Sequence, residues 1–287
     1  MLMNLKDILS VANKHNFAIP AFNTSSNMIL TGVMEACEEM QSPVIIAIHP
    51  DELHFVKHSF VKAVIDEANS TRLPVCIHLD HGASFEQVSE AIHCGYTSVM
   101  IDASTKPFEE NVALCQKVTE VAHACGVSVE GELGTIGMTD SHETSAPEDI
   151  IFTDPDVAAR FVAETHIDAL AVAIGTSHGI YPKNMKPKLR IDLLRQIKAK
   201  LPIPLVLHGG SSNLDSEIAL AVECGINKIN ISSDIKDPFY RQCRVVLQDD
   251  AIREPNMIYP SCIKVMKEAV YGKIKLFKAA DTAKLYY

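Results

Sequence analysis

Eight times along this 287-residue chain, a short apolar run rich in β-branched residues gives way to a longer polar or amphipathic stretch. The runs fall at 17–23, 43–48, 74–80, 98–102, 128–134, 169–175, 204–209 and 226–232. Between them the apolar residues recur at helical spacing, over 28–40, about 54–69, 84–94 and 107–125, and in a helix opening at TDPD (153–156). There Thr153 or Asp154 can cap, with Pro155 in the first turn. A leading helix is expected over 4–15, a polar connection over 135–152, and helices from 232 to the end. Runs that are apolar throughout, without alternation, are strands covered on both faces. Eight such units in about 250 residues predict an α/β fold, a closed (β/α)8 TIM barrel with an N-terminal helix and a C-terminal helical arm. No composition break marks a linker, so residues 1–287 read as one domain, with about 250–287 as the extension. The first strand is not followed by a GxGxxG turn, which weighs against an open dinucleotide-binding sheet.

Such a barrel makes one demand on the sequence: its chemistry belongs where strands end and the loops into the helices begin. Six consecutive strands end in polar residues: HLDHG (78–82), MIDAS (100–104), EGELG (130–134), GTSHG (175–179), HGGSS (208–212) and NISSD (230–234). A barrel core has no use for these side chains, and burying them without partners would be costly. His81, His178 and His208 lie at three of these ends, where neutral imidazoles can converge on one divalent ion and leave a position open for substrate. Asp80, beside His81, can then move a proton to or from a bound substrate. Asp102 is placed to orient a ligand histidine, and Glu132 can either do the same or touch the metal. The glycines and serines of HGGSS and NISSD can cradle an anion with backbone N–H groups and hydroxyls. His49 ends the second strand and faces the same pocket. His78 shares strand parity with Asp80 and either orients it or fills the barrel. The other histidines, 15, 54, 58, 93, 123, 142 and 166, read as solvated residues on helices and loops.

Composition removes other classes. Lysine plus arginine number 26 against 36 aspartate plus glutamate, a net charge of −10 with no basic run, so neither nucleic acid nor an anionic membrane surface is an expected partner. No apolar run approaches the roughly 20 residues of a membrane span. None of the eight cysteines forms a CxxC pair, which excludes a zinc ribbon or finger. They read as eight buried thiols in a reducing compartment. With no leader at the N terminus, a cytoplasmic location is expected, and the sequons at Asn23 and Asn69 read as chance matches.

Taken in order, HLDHG, MIDAS-x-x-PFEENV, VSVEGELG, AVAIGTSHG, PLVLHGGSS and KINISSD resemble the class II, metal-dependent ketose-bisphosphate aldolases, the fructose- and tagatose-bisphosphate members most closely. The resemblance spans nearly the whole chain. It implies Zn2+ on His81, His178 and His208, and Asp80 as the acid/base at the C4 oxygen of the ketose. It implies that Gly179, Gly209, Gly210, Ser211, Asn230, Ile231, Ser232 and Ser233 hold dihydroxyacetone phosphate. It further implies a monovalent cation (Na+ or K+) near Ser177, Gly179, Gly209 and Ser211, and a homodimer or homotetramer. The reaction so implied is reversible cleavage of a ketose phosphate to dihydroxyacetone phosphate and an aldehyde. No Schiff-base lysine is needed, and Lys228 reads as a charge-paired barrel lysine.

Three departures from the family pattern bear on specificity. In relatives the loop after ELG usually begins with two glycines and a glutamate; here it reads GTIGMTDSHE, with Met138 and Thr139 in place, and Asp140 aligns best with that acid, Glu143 next. Ser212 stands where a third glycine is common. EPNMIY places Asn256 where relatives have an arginine for the distal phosphate, and an amide cannot form a charged fork to phosphate. The aldehyde end is therefore expected to differ from the bisphosphates. Two alternatives remain open at this point: a metal-dependent sugar-phosphate epimerase, and a non-catalytic partner subunit of a tagatose-type aldolase. Neither fits the retained Asp80 and histidines as well.

Overall fold

The computed structural model describes residues 1–138, 151–178 and 188–287. Eight parallel strands close into a barrel: β1 (Ile19–Asn23), β2 (Val44–Ile48), β3 (Val75–Gly82), β4 (Ser98–Ile101), β5 (Ser128–Leu133), β7 (Ala169–Val172), β9 (Leu205–Leu207) and β10 (Ile226–Ile231). Each pairs with its neighbours in sequence order, and β1 closes on β10 with Ile19 opposite Lys228 and Ala21 opposite Asn230. Nearly every strand residue is buried, as runs covered on both faces require. The helices α2 (Asn27–Glu39), α3 (Pro50–Ser70), α4 (Phe85–Cys94), α5 (Phe108–Ala124), α6 (Pro155–Thr165), α7 (Ile191–Lys200) and α8 (Asp215–Glu223) fill the connections. After β10 come α9 (Ser233–Val246) and α10 (Pro255–Leu276). The α10 helix turns Cys262, Met266, Val270 and Ile274 inward against α2 and α9, so the expected arm lies on the barrel wall.

The leading helix α1 (Leu5–His15) stops one end of the barrel. Leu5, Ile8, Leu9 and Ala12 form one buried stripe at helical spacing, and α1 touches β3, β5 and β10 from beneath. Burying each of the larger three stabilises by roughly 1.5–3 kcal/mol. Asn4 caps the helix by accepting from the Asp7 N–H.

Three expectations need correction. The α3 helix begins at Pro50 rather than near 54, because His49 and Glu52 form a reciprocal capping box and Pro50 opens the first turn. It is also broken at Lys57, whose φ of 66° is not helical. Second, the segment after β5 is not wholly irregular: β6 (Gly137–Met138) pairs in parallel with β8 (Ser177–His178) as a separate ribbon. Strands of two residues carry no periodicity that a sequence could reveal. Third, the cysteines are not all buried: Cys37, Cys76, Cys115 and Cys262 are, but Cys125 is exposed and Cys94, Cys224 and Cys243 are half-buried. Helix-borne thiols near the solvent side account for the difference.

Candidate active site

The strand ends meet as the barrel demands. Asp80 and His81 come from β3, Glu132 from β5, His208 directly follows β9, and Asn230 lies on β10. They sit in and beneath a cavity of about 610 Å³ whose wall includes Asn23, His49, Glu52, Asp102, Ser232 and Ser233. Asp80 is buried and doubly held: its Oδ2 accepts from Asn23 Nδ2 at 2.7 Å and its Oδ1 from Asn230 Nδ2 at 2.8 Å. Burial opposes ionisation, but His81, His208 and Lys228 outweigh it and hold the Asp80 carboxyl well below its ordinary range. Asp80 is therefore ionised at neutral pH.

His81 and His208 are each steadied from behind. His81 Nδ1 lies 2.9 Å from Asp102 Oδ2, and Asp102 is fixed by the Ser104 hydroxyl at 2.7 Å. His208 Nε2 lies 2.8 Å from Glu130 Oε1. The remaining nitrogens, His81 Nε2 and His208 Nδ1, each stand 3.9 Å from Asp80 Oδ1, and the ring centroids are 4.5 Å apart. A histidine that gives one N–H to a carboxylate and turns the other nitrogen to a common point has the disposition of a metal ligand. Atoms of Asp80, His81 and His208 lie within 4.8 Å of one another, and so do atoms of His81, Asp102 and Glu132. The donor set, two imidazoles with carboxylates, suits zinc. The field here is negative enough to draw a cation: against the penalty of burial, Asp80 and Asp102 raise His81 to about 9. Glu132 is buried and lies near Asp102, which together push it up to about 8. Its Oε2 has no hydrogen-bond partner among the described residues, as expected of an atom kept for a ligand.

His81 itself has a left-handed backbone, φ 51°, a conformation that residues other than glycine adopt mainly under local constraint. His178 is placed by its backbone on β8, in the ribbon beside the barrel. Gly179, Asp140, Thr139, Glu143 and His142 lie outside the described residues.

The HGGSS turn is built from close backbone approach. Gly209 has φ 63°, and a Cβ there would stand 2.5 Å from the Ser177 carbonyl oxygen. A Cβ on Gly210 would meet Ile229 Cγ2 at 2.4 Å. Ser211 Oγ accepts from the Ser232 and Asp234 N–H groups at 3.3 and 3.4 Å, bringing the HGGSS turn against the N-terminus of α9. Ser232 and Ser233 open that helix at the cavity wall, where the helix dipole favours an anion. Ile231 is buried under this turn. Ser212 has φ 61° and donates its N–H to Asp234 Oδ1 at 3.1 Å, which explains why glycine suits the position. Ser212→Gly should relieve that strain and stabilise by up to about 1 kcal/mol, read as a melting temperature raised by roughly 2 °C.

Some of the constellation escaped the sequence reading. Asn23 is a strand-end polar residue in FAIPAFN, the same signal that marks six later strands. Glu130 was visible only as part of EGELG, yet it is the partner of His208. His78 fills the barrel: its Nδ1 meets Ser98 Oγ at 2.8 Å, and it makes no contact with Asp80 at hydrogen-bond distance. Lys228 pairs with Glu130 Oε2 at 2.8 Å inside the barrel. His49 caps α3 and stands 6.3 Å, centroid to centroid, from His81. Asn256 is exposed in the first turn of α10, and neither it nor Arg253 is among the described residues that wall the cavity.

Known proteins share this architecture. The family model for fructose-bisphosphate aldolase class-II matches residues 3–282. A fructose-bisphosphate aldolase of Staphylococcus aureus is 37% identical over 289 residues, covering 99% of each chain. The crystal structure of the YdjI aldolase from Escherichia coli K12 superposes with a TM-score of 0.86 at 33% identity, over 99% of this chain and 100% of that one. Fructose-bisphosphate aldolase from Campylobacter jejuni, 24% identical, shares the fold with a TM-score of 0.78, over 98% of this chain and 96% of that one. With the barrel, the strand-end motifs and a match from residue 3 to residue 282 in agreement, the chain belongs to the class-II fructose-bisphosphate aldolase family, a family of carbon–carbon lyases.

Proposed function

We propose that this lyase is a zinc-dependent aldolase that cleaves a ketose 1-phosphate reversibly into dihydroxyacetone phosphate and an aldehyde. The observation that carries the reading is the convergence of His81 Nε2 and His208 Nδ1 on Asp80 Oδ1, with a carboxylate behind each imidazole. His81, His178 and His208 would hold the metal, with Glu132 within reach as an alternate ligand and Asp102 behind His81. When bound, the zinc supplies positive charge beside the ketose carbonyl, where negative charge develops.

The chain's own groups do the rest. Asp80, kept ionised, takes the C4 hydroxyl proton as the C3–C4 bond breaks and C4 becomes the aldehyde carbonyl. The bond electrons pass to C3, conjugated with the C2 carbonyl, and a proton delivered there completes dihydroxyacetone phosphate. Asp140 is the proposed source of that proton. In condensation Asp80 returns its proton to the C4 oxygen. Asn23 and Asn230 hold the carboxylate at a fixed angle through this exchange. Gly179, Gly209, Gly210, Ser211, Asn230, Ile231, Ser232 and Ser233 form the phosphate cradle, with a monovalent cation beside it. A homodimer or homotetramer is the assembly proposed from the resemblance. No helix among the described residues is long and apolar enough to cross a membrane.

The aldehyde end differs from that of the bisphosphate enzymes, since Asn256 offers no charged fork. Dihydroxyacetone phosphate incubated with a panel of aldehydes tests this. Condensation should occur with unphosphorylated or otherwise charged aldehydes, and a chelator should abolish it. A strong preference for glyceraldehyde 3-phosphate would defeat the specificity, and activity that survives chelation would defeat the metal.

A further inference from the structure

Lys228 is the only lysine wholly buried among the described residues, and it does not wall the cavity. It stands in the middle of β10 and points across the barrel interior. Its Nζ donates to Glu130 Oε2 at 2.8 Å and to Oε1 at 3.0 Å, and lies 3.3 Å from His78 Nε2. An ammonium has three protons to give and accepts none, so His78 Nε2 must be the acceptor. His78 then carries its proton on Nδ1 and donates it to Ser98 Oγ at 2.8 Å. On the other side, Glu130 Oε1 meets His208 Nε2 at 2.8 Å. Every contact in this chain is buried, and it draws on β3, β4, β5 and β10 to reach one nitrogen at the end of β9.

Glu130 grasped at both oxygens cannot rotate away from His208. A carboxylate held at that nitrogen accepts only, so the proton of a neutral His208 belongs on Nε2 and the lone pair on Nδ1. Nδ1 is the atom 3.9 Å from Asp80 Oδ1. We infer that Lys228 is a positioning residue which, by pinning Glu130 against His208 Nε2, presents the Nδ1 lone pair to the metal cluster. The inference rests on the zinc-aldolase reading of the site. It gives the buried lysine a part in metal binding although it touches neither metal nor substrate.

The test reads zinc affinity by competition with a chelator, and the His208 tautomer from imidazole nitrogen shifts of the metal-free protein. Lys228→Met should weaken zinc about 10- to 100-fold, the range found when the group behind a ligand histidine is lost. Lys228→Arg keeps the charge and the donors and should restore most of the affinity. A folded Lys228→Met that binds zinc as tightly as the parent overturns the inference. Should Lys228→Met not fold, Lys228→Met combined with Glu130→Met removes both buried charges and should show the same loss; parental affinity there overturns it equally. The parent needs no substitution to be informative: its His208 should be protonated at Nε2, and a proton at Nδ1 overturns the inference. A parent that takes up no zinc sinks the reading of the site itself, whereas a parent that binds zinc no better than Lys228→Met sinks only the role of the lysine.

Discussion

His208→Ala should strip the metal from the barrel and take nearly all turnover with it. The imidazole is buried at the end of β9, backed by Glu130, and alanine offers neither a ligand nor a way to fill the position. Losing the charge beside the reacting carbonyl forfeits several kcal/mol of transition-state stabilisation, or about 10³-fold in kcat/KM. Bound zinc, counted by atomic absorption after dialysis, should fall well below one per chain in the same preparation. A variant that keeps stoichiometric zinc and parental turnover would remove His208 from the metal set. A pH dependence accompanies this loss in the parent. His81, raised to about 9, must release its proton before it can bind a cation. As pH falls below about 9, the protonated fraction grows and apparent zinc affinity should drop about tenfold per unit. Above that pH the dependence on this group should level off. An affinity flat between pH 6 and 8 would contradict the competition.

Asp80→Asn should do the opposite: spare the metal and remove the chemistry. The side chain keeps its shape but cannot take the C4 hydroxyl proton, so kcat should fall by about 10²- to 10⁴-fold. The substitution also disturbs its neighbours. Both Asp80 oxygens accept from amide groups, Asn23 Nδ2 and Asn230 Nδ2, and an amide at this position turns one of those contacts into donor against donor. Either Asn23 or Asn230 must rotate, so a modest rise in KM should accompany the larger fall in kcat. Zinc content should be unchanged within error. If kcat held within threefold of the parent, the proton would have to pass through another group.

Much of this site was legible in the sequence because a barrel converts strand order into geometry. Six polar strand ends, written as six separate motifs, had to meet at one rim once the strands closed, and β3, β5, β9 and β10 do bring Asp80, His81, Glu132, His208 and Asn230 together. What the sequence concealed were relations across the barrel. That Glu130 stands behind His208 depends on β5 and β9, one strand apart in the barrel wall, turning side chains into the same interior, and no spacing along 78 residues encodes it. The left-handed turn at Ser212 was hinted at only by the glycine common at that place in relatives, since φ is a property of the fold around HGGSS and serine itself carries no signal for it. The early start of α3 was legible in HPDE, where proline and two acids mark a helix N-terminus, but the apolar periodicity that begins later masked it.

His49 marks a division that reaches beyond this chain. It belongs to a helix cap, where Asn256 likewise sits in a first turn, whereas Asp80, His81, Asn230 and the glycine cradle ride on the strands and the turns that leave them. Strands are bound by their neighbours on both sides, so the strand-borne half of the site resists change. Helix starts can exchange side chains at little cost to the barrel. Diversity among relatives should therefore collect at the start of α3, where His49 and Glu52 meet the pocket, more than at the strand ends.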